Sequence, residues 1–536
     1  FISSATLYTH LRNMYRKAGC TAGRNSSPSC ARSREAARST GLKCYEGVVS
    51  PDGPLAYTGI MTSKDNKNDH VGDAGQESRP LTTSEIFEPE VRGHHRRKRK
   101  LVEFTHSSTR ATMLMLAAAL AALVIENTPV LPYFAEFWHT FEIGFSLGDF
   151  APHLTLEHFI NDFLMALFFL LVGLEIKFEM TAGELTNPRK ALLPIVAAAG
   201  GAVVPALVYT AVNVGSGFEQ GWGVPMANDI AFCLGILALL GDRVPLGLRV
   251  FLSTLTIADD MIAILVIAVF YTAELQVGWL AAGLALFGLA LALNRGHVYD
   301  LWPYLLVGLV MWVCFLMSGV HATIAGVLLA LAVPARSQVK LRRVNSWFAE
   351  AADVADERYD PGEPSIVQKE YLHDIQRIGH IARMSIPPIT RLDDRLHVPV
   401  YFFVLPLFAF SNASVVLVGM DFMEVLTSPV MIGVFFGLLV GKPAGIFLAT
   451  WATVKLRLSD LPEGVNWGHI AGVSVLGGVG FTMAIFVTNL SFVDPATIAV
   501  AKAAILAASL VAGVVGFVIL RQEALCAVCG DKEEEA

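Results

Sequence analysis

Charge is what this sequence has least of. Of its 536 residues only 16% are Asp, Glu, Lys or Arg, 54% are hydrophobic, and the mean hydropathy is +0.53. Soluble globular domains do not carry that balance, so the chain reads as a polytopic membrane protein. Cysteine is sparse and unpatterned: Cys20, Cys30, Cys44, Cys233, Cys314, Cys526 and Cys529 form no disulfide or zinc-finger framework. Cys526 and Cys529 make a CxxC at a polar tail without a second CxxC or His pair, which argues against a metal or thiol centre. Cys233 and Cys314 read as small apolar residues inside helices. No GxxxxGK[ST] loop is present, so ATP is not implied. No cofactor and no nucleic-acid partner are expected. The first hundred or so residues show no signal-peptide pattern of basic, apolar and small-residue regions; they are polar, aperiodic and read as disorder. Since the chain opens on Phe1 and offers Met61 before a polar run, part or all of 1–60 is expected to be a misplaced start or a fragment boundary.

Long apolar runs are what the sequence has instead. At roughly twenty apolar residues per crossing, about twelve spans fit near 111–131, 159–176, 191–212, 224–240, 248–271, 277–294, 303–317, 319–334, 400–418, 430–453, 468–490 and 497–520. The loops between them divide by sign. Those after the even-numbered spans hold Arg189, Lys190, Arg243, Arg249, Arg295, Arg336 to Arg343, Lys455 and Arg457, whereas 127–158, 213–223, 272–276, 419–429 and 491–496 contain no Lys or Arg. By the positive-inside rule both termini are cytoplasmic. The expected organisation is a cytoplasmic N-terminal extension over 1–104, a transmembrane domain over 105–520 with a long cytoplasmic loop at 335–398, and an acidic cytoplasmic tail over 521–536. Within the loop, Val367, Leu372, Ile375, Ile378 and Ile381 fall near helical spacing, as in an interfacial helix or one docked on the protein's own face.

Polar residues inside the spans are few: Asp162, Glu175, Asn228, Asp229, Asp259, Asp260, His321, Lys442 and Lys502. A charge at the bilayer centre costs about 2.5–3.5 kcal/mol on insertion scales, so such residues mark ion or proton sites. Asp259 and Asp260 are adjacent in LTIADDMIAILVIAVFYT. Lys442 lies deep in FFGLLVGKPAGIFLATW and needs a carboxylate partner, for which the Asp pair is the natural candidate. Lys502 stands near the outer end of the last span and can snorkel. Two spans are interrupted, one at Pro225 and one at Gly477, Gly478 and Gly480. Unwound backbone at that depth requires cover by protein or a water-filled cavity. Two such breaks in corresponding halves point to a transport site, although the glycines are also consistent with close helix packing.

MANDIAFCLGILALLGDRVP, IADDMIAILVIAVFYT, NDFLMALFFLLVGLEIK, SGVHATIAGVLLA, LPLFAFSNA, GKPAGI and LPEG followed by GGVGFTMAIF closely resemble the NhaA-type sodium/proton antiporters of bacteria, in order over about 105–520. The resemblance implies an all-α polytopic fold of about twelve transmembrane helices, with two broken helices crossing at mid-membrane and inverted-topology repeats. It implies that Asp259 and Asp260 bind the cation and the proton, with Asp260 the primary sodium ligand, Lys442 paired with Asp259, and Asp229 at the crossing. Asn228 stands where the best-known members carry Thr. A pH-responsive cluster maps onto Glu175, Glu179, Arg391, Asp393 and His397, with His321 also linked to pH, and Asp162 matches a funnel acid. Thr390 and Asp394 depart from the basic residue and the His of that pattern.

The function so implied is secondary active, electrogenic exchange of sodium or lithium for protons, pH-regulated, in a bacterial inner membrane, by a homodimer embedded in the lipid bilayer. Carboxylates bind hard cations and protons through the same oxygens, so competition couples the two fluxes. Bland alternatives stand beside several assignments: hydrogen-bonded packing for His321, a solvated helix end for Glu175 and Glu179, and structural hydrogen bonding for Asp162. An intramembrane aspartyl protease is disfavoured by the adjacency of the acids, the lack of a GxGD segment and the buried Lys442. A passive cation channel is disfavoured by the same lysine.

Overall fold

The computed structural model describes residues 108–128, 142–144, 153–272, 275–415 and 422–534. The chain divides into Phe1–Phe104 and Thr105–Ala536; the expected N-terminal extension, and the outer-loop acids Asp149, Glu274 and Asp421, lie outside the described residues. Backbone polar groups have no water to bond in hydrocarbon, so apolar runs of this length close their hydrogen bonds internally as helices. Among the described residues nine helices are long and apolar enough to cross a membrane, and Trp467–Leu476 with Phe481–Ser491, bent by 44° at their junction, make a tenth. The other two expected spans take shorter forms. Near 319–334 the apolar helix is Ile324–Ala332, nine residues long, after a left-handed Gly319 at φ 79° ends the preceding helix Leu301–Ser318. Near 400–418 a helical run begins earlier, at polar Pro388–Pro399, passes through a π segment Val400–Val404 and ends as Leu405–Asn412.

The only strands among the described residues are two short ones between the first two spans. Glu142–Gly144 pairs antiparallel with His153–Thr155. Within the 335–398 loop, Leu341–Arg358 and Lys369–Ser385 form two helices. They pack together through Arg358 and Asp374 at 2.8 Å and the Tyr359 and Tyr371 rings, tilted at 48° with centroids 5.1 Å apart. Val367, counted above with the apolar face, sits before the helix starts and is exposed. The last helix, Pro495–Glu534, continues unbroken from its span into the expected tail.

Both sequence interruptions are breaks in the structure. Glu219–Met226 forms a 3-10 segment containing Pro225, Ala227 and Asp229 are extended, and the α-helix Ile230–Leu239 follows. The second break lies between Leu476 and Phe481. Here the two readings of the glycines merge, because the unwound segment is also where backbones come closest. A Cβ on Gly478 would stand 2.5 Å from the Leu438 carbonyl oxygen, and one on Gly480 3.0 Å from that of Ala227. Leu438 belongs to a π segment, Gly437–Gly441, directly before Lys442. Gly200, Gly201, Gly441 and Gly445 then let Lys442–Lys455 approach Pro188–Asn213 so closely that an added methyl at any of them would clash. Small residues therefore seat the buried lysine beside both breaks.

Candidate ion site at the crossing of two broken helices

Asp259 and Asp260 are consecutive in the unbroken helix Leu246–Phe270, so their side chains leave it about 100° apart and meet different neighbours. Asp259 meets Lys442, with Nζ 2.6 Å from Oδ2, both side chains almost fully buried. The same ammonium donates to the Met226 carbonyl, the last residue of the 3-10 segment. Lys442 thus meets a carboxylate and the negative end of a broken helix together. Asp260 is 1% exposed, and its Oδ2 is a buried atom without a hydrogen-bond partner among the described residues. Asp259, Lys442, Asp229 and Glu175 all act electrostatically on it.

Asp229 performs the complementary task at the positive helix ends. As N-cap of Ile230–Leu239 it accepts from the Phe232 N–H through Oδ1 at 3.1 Å. Its Oδ2 accepts from the Thr482 N–H at 3.1 Å and the Thr482 hydroxyl at 2.5 Å, at the start of the second half-helix. One carboxylate therefore caps two half-helices from different spans. Its own N–H donates to the Val479 carbonyl at 2.9 Å, which fastens one break to the other. Asn228 Oδ1 accepts from the Asp229 N–H at 2.8 Å and lies 3.2 Å from the Cys233 thiol, which is also 3.1 Å from the Leu476 carbonyl. Asn228 and Cys233 stitch the crossing. Cys233 is more than the apolar filler the sequence suggested.

Other polar candidates fall elsewhere. Glu175 lies in Met165–Thr181, bonded to the Tyr401 hydroxyl and within electrostatic reach of Asp393 and Glu179. Burial, with Asp394 alongside, pushes the Asp393 carboxyl up to about 7. The His397 ring lies 4.6 Å from that of Tyr401. Arg391 donates to the Tyr299 carbonyl at 3.0 Å, tying together segments 92 residues apart, and Glu179 accepts the Glu184 N–H at 2.9 Å, holding the turn after its own helix. His321 stands apart from this cluster, edge-on to Phe486 in a turn between helices. Asp162 sits in a π segment, Phe159–Leu164, and its backbone carbonyl accepts the Trp312 indole N–H at 3.2 Å. Lys502 is buried at 8% exposure rather than turned out to the surface, because the last helix packs that face inward.

Residues 102–520 match the family described as Na+/H+ antiporter 1. The chain belongs to that family. It is 47% identical over 409 residues to the Na(+)/H(+) antiporter NhaA of Oleidesulfovibrio alaskensis, covering 76% of this chain and 90% of that one. To the protein of the same name from Wolinella succinogenes it is 39% identical over 443 residues, covering 80% and 96%. To that of Helicobacter pylori it is 41% identical over 427 residues, covering 78% and 94%. The solved structure of the sodium proton antiporter MjNhaP1 from Methanocaldococcus jannaschii aligns over 78% of this chain and 92% of that one, with a TM-score of 0.40 and 13% identity. The antiporter is therefore a multi-pass membrane protein and a secondary transporter, which removes the protease reading.

Several groups in this geometry escaped the sequence. The Met226 carbonyl is invisible to side-chain reasoning. Thr482 had a signal, its place two residues after the GGVG break, where a helix start needs an acceptor. Tyr401 also had one, standing one turn beyond His397. Asn161, Asn412 and Asn489, from three separate helices, bond in series at 2.8 Å and 2.6 Å. Nothing in their sequence spacing announces that contact.

Proposed function

We propose that this sodium/proton antiporter binds its cation at Asp260 and Asp259, and that protons compete there for the same carboxylate oxygens. The observation that carries the reading is the Asp260 carboxylate: deeply buried, with Oδ2 making no hydrogen bond among the described residues, beside an Asp already paired with lysine. A hard cation favours such oxygen, and removing the acid from water makes either a proton or a cation on it preferable to a bare charge. Sodium is the substrate and lithium, smaller but equally hard, is accepted. Deprotonation of the pair opens the oxygens to the cation; protonation from the opposite side expels it. With two carboxylates and Lys442 in one electrostatic unit, the protons leave as a coupled set, which allows more than one proton per cation and makes the exchange electrogenic. Asp229 and Lys442 hold the opposed helix ends at the crossing, so the breaks move as a unit when access alternates. Asn228 and Thr482 support that unit.

The Glu175, Asp393, His397 and Tyr401 cluster, with Glu179 and Arg391, tunes the response to pH. Asp162 lines the approach from the other side. The basic loops support a bacterial inner-membrane orientation with both termini, the 1–104 extension and the 521–536 tail in the cytoplasm; a homodimer in the bilayer is the expected assembly. In everted vesicles, sodium or lithium added after respiration has built a proton gradient should collapse it with the native chain and not with Asp260→Asn. Full sodium-driven flux in that variant would overturn the site.

A further inference from the structure

Away from the crossing, at the ends of two spans, an open cavity of about 500 Å³ is lined by Leu239, Leu240, Gly241, Arg243, Phe517 and Arg521. Its volume falls within the roughly 300–1,000 Å³ of sites that hold a whole small ligand. The lining is divided between apolar wall and two guanidinium groups. Arg243 and Arg521 are exposed, and neither makes a hydrogen bond or ion pair among the described residues. Arg249, the third arginine of this corner, donates instead to the Gly241 carbonyl. Two unspent guanidinium forks at one cavity match the oxygens of a phosphate, which they bind more specifically than ammonium groups do.

The surroundings indicate what carries the phosphate. On the last helix Leu510, Val514 and Val518 are 67%, 56% and 45% exposed, and their spacing of four residues makes one apolar stripe that reaches Arg521 within a turn. Leu239, on the opposite wall, is 51% exposed. A chain lying along that stripe would bring its polar end to the arginines at the membrane boundary. Basic pockets between spans at a membrane surface suit anionic lipid headgroups. We propose that this corner binds the phosphate headgroup of an anionic phospholipid, with Arg243 and Arg521 on the phosphate oxygens and an acyl chain along Leu510, Val514 and Val518. The consequence reaches the ion site. The wall residue Leu239 ends the half-helix that Asp229 begins, so a bound headgroup ties the far end of that helix to the last span.

The test uses the full chain in nanodiscs containing photoactivatable phosphatidylglycerol or phosphatidylcholine with the same acyl chains. Phosphatidylglycerol should label peptides covering 239–243 and 517–521 roughly tenfold more than phosphatidylcholine. Arg243→Gln with Arg521→Gln should bring that label down to the phosphatidylcholine level, while the paired Lys substitutions retain part of it. Equal labelling by the two lipids in the native chain, a comparison that needs no variant, overturns the proposal, as does undiminished labelling in the paired Gln variant. Excess inorganic phosphate, compared with chloride at the same ionic strength, separates the sources: persistence of the label supports the lipid, and its specific loss to phosphate means a free anion and overturns it.

Discussion

The crossing and the acidic cluster around Tyr401 both gather carboxylates, and they hold them in opposite ways. At the crossing each group is deeply buried; Lys442 joins Asp259 and the Met226 carbonyl, and Asp229 takes bonds from Thr482 and Phe232, whereas Asp260 Oδ2 is buried without a hydrogen-bond partner among the described residues. In the cluster Glu175, Asp393 and His397 are only half-buried. A site with one unsatisfied oxygen selects what binds there. A group of acids partly open to water responds to pH in a graded manner. That contrast supports giving transport to the first region and tuning to the second.

The strongest attempt to break the contrast is Asp260→Asn, which keeps the volume and removes the charge. Sodium-dependent proton flux should fall by about 100-fold or more, whereas Glu175→Gln in the same vesicles should leave flux at its optimum within several-fold. Next is Lys442→Ala. Removing one partner of a buried ion pair strands the other and costs about 3–5 kcal/mol, so the detergent-solubilised protein should melt well below the native chain. An unchanged melting curve would mean that the pair with Asp259 contributes little. Gly478→Ala should be milder, about 1–3 kcal/mol, because its methyl meets the Leu438 carbonyl where the second break packs; a stable, fully active variant would show that the breaks have room to spare.

The smallest effect is expected in the cluster. The Asp393 carboxyl ionises at about 7 instead of its ordinary 3.8, so between about pH 4 and 7 the native state keeps a proton that the unfolded chain has lost. Stability from this group is therefore full below the lower value, declines through that window and is gone above it. Asp393→Asn should flatten that part of the melting-temperature profile and move the onset of flux toward acid by less than about one pH unit, since the cluster loses one negative charge. An unchanged onset would detach Asp393 from the pH response.

Much of this was legible in the chain because lipid leaves few options. Asp259, Asp260, Asp229 and Lys442 stand out from apolar runs whatever the fold, and Pro225 and Gly477 to Gly480 cannot continue regular helices cheaply. The hairpin Glu142–Gly144 with His153–Thr155 was not legible, since three-residue strands carry too little periodicity to read. Nor was the inward face of Lys502, because a lysine near a span end satisfies the snorkelling pattern until a neighbouring helix is known to cover it.

The sequence by itself determined the membrane class, the family, the positions of the breaks and the identity of the charged residues, because the insertion cost of each charge and the stiffness of each apolar run are local properties. Only the tertiary structure decided that Lys442 spans Asp259 and the Met226 carbonyl, that Asp229 caps two half-helices, and that Asp260 Oδ2 meets no hydrogen-bond partner among the described residues. Those are partnerships between residues as many as 253 positions apart, and which groups meet at that separation is fixed by helix packing and not by any pattern along the chain.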